Sequence, residues 1–266
     1  MREAVAVDAT RLHVEVVGNG PPLVLLHGWA MHGGIFAPLV DALRAQRTLH
    51  VVDLPGHGHS RDSAVPLELE ACVAAIADAV PPAPWCGWSL GGLIGLHAAA
   101  TRPAQVPALA MVCATPRFVT ADDWPQGMPA QVFAEFAGGL REDWRNTIDR
   151  FIALEAFGSD HMREELQMLR DAVLARGKPA PDVLAQGLRL LQAADLRDAL
   201  PALAVPSLWL GGRRDRLVDP RAMRQAAQSA PAARFVQVEH AGHAPFLTHA
   251  GEVADALLAF LAGAGA

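Results

Sequence analysis

The alternation of apolar and polar residues along the chain predicts strands and helices in turn. Short runs rich in Val and Leu have the length of strands, and a continuous apolar run suits a strand that is buried on both faces. Longer stretches with apolar residues three and four positions apart predict helices. The predicted strands are 12–17, 22–26, 48–53, 84–87, 106–114, 205–210 and 234–238. The helices predicted between and after them are 67–80, 90–101, 220–230 and 252–261.

The pattern changes in the middle of the chain, where 117–195 contains no strand-like run. Strands that alternate with helices indicate parallel pairing and right-handed crossovers. We therefore predict an α/β fold with a mostly parallel central sheet flanked by helices. Its core domain would comprise residues 1–116 and 196–266, and an all-helical lid, or cap, would be inserted at 117–195. The helices predicted in the lid are 130–139, 143–157, 161–175 and 182–194.

Composition and charge exclude several classes of protein. The 266 residues are 52% hydrophobic, and 22 Lys and Arg against 28 Asp and Glu give a net charge of −6. This balance argues against nucleic-acid binding and against disorder. The three cysteines form no C-x-x-C pair, so we expect buried thiols in a reducing cytoplasm. Prolines and glycines interrupt the uncharged stretch 79–101, and the N-terminus lacks an apolar run, so neither a membrane span nor a signal peptide is expected.

The segment Gly87-Trp88-Ser89-Leu90-Gly91 matches G-x-S-x-G, the motif of a nucleophile elbow. It lies between a predicted strand and a predicted helix, as such an elbow requires. A nucleophilic serine sits at a sharp turn, so its neighbours must be small. We therefore predict Ser89 as a catalytic nucleophile. The alternative is a glycine-rich turn in which Ser89 is only structural.

A serine nucleophile needs a histidine base and a carboxylate that orients it. His243 lies in a loop after the last predicted strand, and we choose it over the nearby His240 and His249. Asp215 follows the strand 205–210 and is the predicted acid. Its competitor Asp219 precedes Pro220 and a helix, where it would serve as an N-cap, and Asp198 is a weaker third candidate.

Acyl transfer also requires backbone donors for the oxyanion. We predict the N–H groups of Leu90, after the nucleophile, and of Trp29, in the loop after the strand 22–26. His27 could be a ligand or a base, but we favour a role in bracing this loop. His57 and His59 near Asp53 suggest a metal site, yet no third ligand follows at a suitable spacing. Phosphate-binding glycine motifs are absent as well, so we expect neither a metal nor a cofactor.

These motifs together resemble the α/β-hydrolase superfamily along the whole chain. Within it, the chain is similar to BioH-type esterases of biotin synthesis, which cleave the methyl ester of pimeloyl-acyl carrier protein. The matching segments are Leu25-Leu26-His27-Gly28-Trp29, Val52-Asp53-Leu54-Pro55-Gly56, Gly87-Trp88-Ser89-Leu90-Gly91-Gly92, His243-Ala244-Pro245-Phe246, and in the lid Asp123-Trp124-Pro125 and Asp149-Arg150-Phe151-Ile152-Ala153-Leu154.

The resemblance implies a triad of Ser89, Asp215 and His243 with oxyanion donors at Trp29 and Leu90. It further implies that Trp88 and Phe151 line the acyl site beside Trp29, and that Arg150 and Arg163 grip an acidic acyl carrier protein. Against this last role, the lid has 9 Lys and Arg but 13 Asp and Glu, a net charge of −4.

The expected protein is thus a cytoplasmic, monomeric serine esterase that acts on an acyl ester. The rivals are a short-chain carboxylesterase or lactonase, a C–C bond hydrolase of the same fold, and a hydrolase-like ligand receptor without turnover. Apolar lid residues should form a channel wall over the core, or else pack within the lid. They are Phe133, Phe136, Trp144, Phe151, Phe157, Met162 and Leu166.

Overall fold

The computed structural model describes residues 11–265 and has a seven-stranded sheet at its centre, in the order β1-β3-β2-β4-β5-β6-β7. Neighbouring strands are parallel, except that β1 runs antiparallel to β3. The strands are β1 (Val14–Gly18), β2 (Pro22–Leu26), β3 (Thr48–Val52), β4 (Trp85–Trp88), β5 (Leu109–Val112), β6 (Ser207–Gly212) and β7 (Ala233–Val238). The segment 1–10, for which we expect no signal peptide, lies outside the described residues.

Helices flank this sheet, and four of them lie between β5 and β6. Among the core helices, α1 packs on α10 and α2 packs on α3. The sequence pattern did not predict α1 or α9, which have only seven and four residues. The helices are α1 (Ala37–Leu43), α2 (Leu69–Ala79), α3 (Leu90–Thr101), α4 (Ala130–Glu142), α5 (Trp144–Ala156), α6 (Met162–Ala175), α7 (Pro181–Ala193), α8 (Pro220–Ser229), α9 (Pro245–Thr248) and α10 (Ala250–Gly263).

The central strands carry the core of the protein. Every residue of β4, β5 and β6 is buried, which requires cover on both faces of the sheet. The edge strand β1 is different, since none of its residues is fully buried. The predicted bounds of β2 and α3 agree with the structure, and the other predicted strands differ by up to three residues at an end. The three cysteines are free and buried, as expected.

The segment 117–195, which we call the lid, contains α4 to α7 and is attached to the core through polar contacts. The indole Nε1 of Trp29 donates to the carbonyl oxygen of Leu184 at 2.8 Å. The guanidinium of Arg176 lies 3.2 Å from the buried carboxylate of Asp53. The division into a core domain and a lid domain stays a prediction. Within residues 11–265, no helix is both long enough and apolar enough to cross a membrane.

Candidate active site

Ser89 stands at a strained turn between β4 and α3. Its backbone has φ 53° and ψ −116°, which a residue with a side chain rarely adopts. The turn is so tight that a Cβ on Gly87 would lie 2.3 Å from the carbonyl oxygen of Gly91. A Cβ on Gly91 would lie 2.2 Å from the carbonyl oxygen of Leu26. The motif therefore forms the sharp strand-to-helix turn that the sequence predicts.

Asp215 and His243 form a buried hydrogen-bonded pair. Nδ1 of His243 lies 2.8 Å from Oδ2 of Asp215, and both side chains are almost completely enclosed. The other oxygen of Asp215 accepts hydrogen bonds from the N–H groups of Leu217 and Val218, at 2.8 and 2.9 Å. These two donors fix the carboxylate, so it can hold the imidazole in one tautomer with Nε2 unprotonated.

The competing acid, Asp219, has the capping role that the sequence suggests. Its side chain accepts a hydrogen bond from the N–H of Arg221 at the start of α8. The guanidinium of Arg221 also lies 2.6 Å from its carboxylate. Asp219 is therefore occupied at the helix terminus, and the imidazole of His243 bonds to Asp215 instead.

The Nε2 end of the His243 imidazole is enclosed. Within residues 11–265, its Nε2 is buried and has no hydrogen-bond partner. Ser89 is only 4% exposed. Hydrogen bonds of catalytic groups are often long or poorly aligned before a substrate is bound. A buried nitrogen that can accept a proton, on a loop packed against the residue before Ser89, suits a general base.

The loop after β2 lies beside Ser89. A Cβ on Gly28 would be 3.3 Å from Cβ of Ser89, which is a tight contact, so the glycine eases the close approach of the loop. Trp29 follows Gly28, and Leu90 follows Ser89. Within the described residues, no backbone carbonyl outside regular elements accepts a hydrogen bond from the N–H of Trp29 or Leu90. The two N–H groups are therefore not used by such carbonyls, and their role as an oxyanion hole stays a prediction.

His27 braces the loop after β2, as we expected. Its Nε2 accepts a hydrogen bond from the N–H of Leu54 at 2.9 Å, and its Nδ1 lies 2.8 Å from the carbonyl oxygen of Gly28. Burial, followed by the nearby imidazole of His57, lowers the pKa of His27 to about 3. His27 is therefore neutral at neutral pH and connects two loops at the carboxyl end of the sheet.

The residues of the suggested metal site are divided in the structure. His59 and Asp53 approach His13, with potential ligand atoms within 4.8 Å of one another, while His57 packs against His27. Both oxygens of Asp53 also receive hydrogen bonds from the guanidinium of Arg176, at 3.2 and 3.3 Å. A cation already neutralises this carboxylate, which disfavours a metal ion at the same place.

Trp88 supports His243 directly. Its indole Nε1 donates to the carbonyl oxygen of His243 at 2.8 Å, and the two rings lie 5.6 Å apart. The indole is completely buried and also packs edge-on against Phe246 at 5.1 Å. These contacts give Trp88 a bracing role for the histidine, while its predicted place in the acyl site stays a prediction.

Only some of the residues predicted for the apolar wall are buried. The ring of Phe151 packs on Trp29 at 4.6 Å and on Phe136 at 5.5 Å, so α4 and α5 cover the loop after β2. By contrast, the side chains of Phe157 and Met162 are 54% and 41% exposed. The prediction was wrong for these two residues because they lie where α5 ends and α6 begins, outside the helical faces that meet the core.

A large groove of the protein lies away from Ser89, Asp215 and His243. Within the described residues, a groove of about 730 Å³ is lined by Arg11, Val65, Ala75 and their neighbours, and it contains no triad residue. An elongated pocket above Ser89 therefore stays a prediction.

Arg150 and Arg163 are both exposed, and the guanidinium of Arg150 lies 5.9 Å from the ring of Phe136. Their role toward a partner is untested.

Sequence reasoning missed two buried carboxyl groups of the lid, Glu155 and Glu165, close to the triad. Both are at most 1% exposed, and within residues 11–265 each has an Oε2 without a hydrogen-bond partner. Burial, followed by the neighbouring Asp215, raises the pKa of Glu155 well above its ordinary value. Burial likewise raises the pKa of Glu165. Helical spacing could have revealed Glu155, which follows Phe151 and Ile148 at four and seven positions on the same buried face.

Cys113 is a third unforeseen neighbour of the triad. Its Sγ lies within 4.8 Å of potential ligand atoms of Asp215 and His243, and it accepts a hydrogen bond from the N–H of Gly212. Burial, followed by the charge of Asp215, raises the thiol pKa well above its ordinary value. A thiol that stays protonated is a poor nucleophile and a poor metal ligand. Cys113 therefore serves as a packing group behind the Asp215–His243 pair.

Comparison with known proteins agrees with this geometry. Residues 21–250 match the family model of the alpha/beta hydrolase fold. The pimeloyl-[acyl-carrier protein] methyl ester esterase of Stenotrophomonas maltophilia is 57% identical over 94% of this chain and 96% of its own length. The esterase of the same name from Xanthomonas oryzae pv. oryzae is 56% identical over 94% of this chain and 99% of its own.

A solved structure gives the same result for the fold. The enol-lactonase from Burkholderia xenovorans superposes with a TM-score of 0.81 at 25% identity, covering 94% of this chain and 96% of that protein. The superposition extends over nearly the whole of both chains. The strained Ser89, the Asp215–His243 pair and these likenesses lead to one conclusion: this chain belongs to the α/β-hydrolase fold family and, within it, to the family of the pimeloyl-[acyl-carrier protein] methyl ester esterases.

Proposed function

We propose that the protein is a serine carboxylester hydrolase that cleaves the methyl ester of pimeloyl-acyl carrier protein in biotin synthesis. The observation that carries the proposal is the buried Asp215–His243 pair, whose Nε2 has no partner within the described residues, next to the strained turn of Ser89. The substrate is suggested by the relatives named for it, which are 56 to 57% identical over 94% of the chain.

The reaction would begin with the attack of Ser89 Oγ on the ester carbonyl. His243 Nε2 takes the hydroxyl proton, while Asp215 stabilises the imidazolium that forms. The imidazolium then gives the proton to the departing methoxide, so methanol leaves and an acyl-enzyme remains. A water molecule, deprotonated by the same nitrogen, attacks the acyl-enzyme. The bond between the acyl carbon and Ser89 Oγ then breaks, the imidazolium returns the proton to Oγ, and the free carboxylic acid leaves and ionises. Support comes from the donors to Asp215, which keep the carboxylate in place while charge develops.

The oxyanion of each tetrahedral intermediate would be bound by the N–H groups of Trp29 and Leu90. The close approach of Gly28 to Ser89 supports this role, because it brings the loop after β2 next to the reacting carbonyl. Such donors, fixed in advance and enclosed, lower the barrier by several kcal/mol in related chemistry, at about 3 kcal/mol for one donor. Phe151, packed on Trp29, would contact the acyl chain from the lid.

An acidic carrier protein would meet the outer face of the lid through Arg150 and Arg163, both exposed. The net charge of −4 on the lid opposes this docking less than the sequence suggests. Two of its 13 acidic residues, Glu155 and Glu165, are buried, and burial favours their neutral forms. The charge that a partner would meet is therefore less negative, and local cations would steer the encounter.

The decisive experiment measures methanol release from methyl pimeloyl-carrier protein by the wild-type protein and by Ser89→Ala. We expect turnover by the wild type and a loss of at least about 10³-fold in the variant, together with loss of fluorophosphonate labelling. Cleavage of short p-nitrophenyl esters or lactones alone would indicate a broad esterase. Unlabelled Ser89, with equal turnover in both proteins, would contradict the serine hydrolase itself.

Charge reversal tests the carrier surface separately. Arg150→Glu combined with Arg163→Glu should raise KM for the carrier-bound ester and leave hydrolysis of a short p-nitrophenyl ester unchanged. Arg234→Glu, at an exposed position on β7 outside the lid, is the control for a charge change as such. Equal KM values for the carrier-bound ester in all three proteins would refute the role of the two arginines.

A further inference from the structure

Glu165 of α6 joins two segments that flank the loop carrying His243. Its Oε1 accepts hydrogen bonds from the hydroxyl groups of Ser159, at 2.7 Å, and Thr248, at 2.8 Å. Ser159 follows the end of α5 in the lid, whereas Thr248 ends α9, the short core helix after His243. One buried carboxyl group thus bonds to the lid and to the core at the same time.

The loop 239–244, which we call the histidine loop, passes directly beside this carboxyl group. A Cβ on Gly242 would lie 3.4 Å from Cβ of Ser159 and 3.6 Å from Oε2 of Glu165. The lid also bonds to the loop backbone, because the N–H of His243 donates to the carbonyl oxygen of Glu155 at 3.4 Å. The histidine loop therefore rests on lid residues at the position of the base itself.

The core holds the opposite side of the histidine loop. The N–H of Arg214 donates to the carbonyl oxygen of Ala241 at 3.0 Å, and the indole of Trp88 donates to the carbonyl oxygen of His243 at 2.8 Å. The loop is thus held between core donors and lid groups, and a shift of α5 or α6 would remove one of its two supports.

Stability by itself does not favour a glutamate at position 165. The side chain is fully buried, and within residues 11–265 no Lys or Arg forms a salt bridge with it. Burying a carboxyl group without a cation costs free energy, even when hydroxyl groups donate to it. An apolar residue at the same place would avoid that cost. The benefit of Glu165 therefore lies in what its hydrogen bonds hold in place.

We propose that Glu165 is a positioning residue for His243, which holds the histidine loop where Nε2 serves Ser89 and ties that placement to the closed lid. The inference rests on the proposed function, in which His243 is the base. Proton transfer needs donor and acceptor at hydrogen-bond distance, so a small displacement of the loop lowers kcat. Substrate binding, which uses other residues, would change little.

Hydrolysis of a short p-nitrophenyl ester tests the proposal without any carrier protein. Glu165→Ala should lower kcat by about 10- to 100-fold and leave KM within about twofold. Glu165→Gln should recover most of kcat, since the amide oxygen can still accept both hydroxyl hydrogen bonds. Glu164→Ala, the same change at the exposed neighbour on α6, should match the wild type.

A second variant keeps the test decisive if Glu165→Ala does not fold. Thr248→Val removes one donor and should lower kcat less than Glu165→Ala, and adding it to Glu165→Ala should cause no further loss, because both act through one carboxyl group. Unchanged kcat in Thr248→Val would by itself overturn the proposal. Unchanged kcat in Glu165→Ala, equal losses in Glu165→Ala and Glu165→Gln, or a change in KM alone would also overturn it. An inactive wild type would instead contradict the proposed function.

Discussion

Replacing Glu155 by glutamine tests whether a protonated carboxyl group lies behind Asp215. Glu155 is 1% exposed, and the charge next to it is the carboxylate of Asp215. Burial and this like charge raise the pKa of Glu155 well above its ordinary value, so the folded protein binds a proton that the unfolded chain releases. Glutamine has the same shape and no titration. Glu155→Gln should therefore become more stable relative to the wild type as the pH rises.

The magnitude follows from proton linkage. The contribution of Glu155 to the free energy of unfolding of the wild type is fully present below the unfolded pKa of about 4.3. This contribution is lost as the pH rises from there toward the folded pKa of Glu155. Over that window, unfolding of the wild type releases one more proton than unfolding of Glu155→Gln. The difference between their free energies of unfolding should thus grow by about 1.4 kcal/mol for each pH unit.

Urea unfolding, followed by tryptophan fluorescence, measures this difference at about pH 5, 6 and 7. The six tryptophans of the chain include the buried Trp29, Trp88 and Trp209, whose emission should change on exposure to water. Glu164→Gln, the same change at an exposed site, is the control for the amide substitution itself. If the difference for Glu155→Gln did not grow with pH more steeply than that of the control, the folded protein would not hold the extra proton, and the reasoning would be refuted.

Four further variants test the choice between the two candidate acids, the lid attachment and the helix interior. Asp215→Asn should lower kcat for ester hydrolysis about 10³- to 10⁴-fold by favouring the wrong histidine tautomer, whereas Asp219→Asn should leave kcat unchanged, and comparable losses would contradict the assignment. Arg176→Met should lower the free energy of unfolding by about 3 kcal/mol in urea titrations, because Asp53 would stay buried without its cation. Gly138→Ala should raise it by about 0.5 to 1 kcal/mol, since nothing lies within 4 Å of the added methyl group; a lower value would count against a regular α4.

The elements whose bounds were predicted best are those for which neighbouring residues in the chain mark both the beginning and the end. β2 is a continuous apolar run, and α3 begins at a glycine-rich turn and ends before a proline, so their bounds agree with the structure. The short α1 and α9 lack such a signal, because seven and four residues hold too little periodicity. The antiparallel direction of β1 was not predicted either, since strand direction depends on which neighbour the strand pairs with.

The residues of the candidate site also differ in how far the sequence alone could predict them. Ser89 and the cap at Asp219 depend on residues next to them in the chain, which determine the turn and the helix start, and removing Asp219 from consideration left Asp215 as the acid. The exposure of Phe157 and Met162 was not foreseen, because it depends on where two lid helices end relative to the core.

By itself, the sequence determined the succession of the strands and the longer helices, the strained turn at Ser89 and the choice of Asp215 and His243 as partners, because turn geometry and helix capping act over a few residues. Only the tertiary structure decided that Glu155 and Glu165 of the lid lie against the histidine loop, and that Arg176 reaches Asp53. These contacts join segments far apart in the chain. Their burial, and with it the raised pKa values of the two glutamates, arises only because the lid packs on the core.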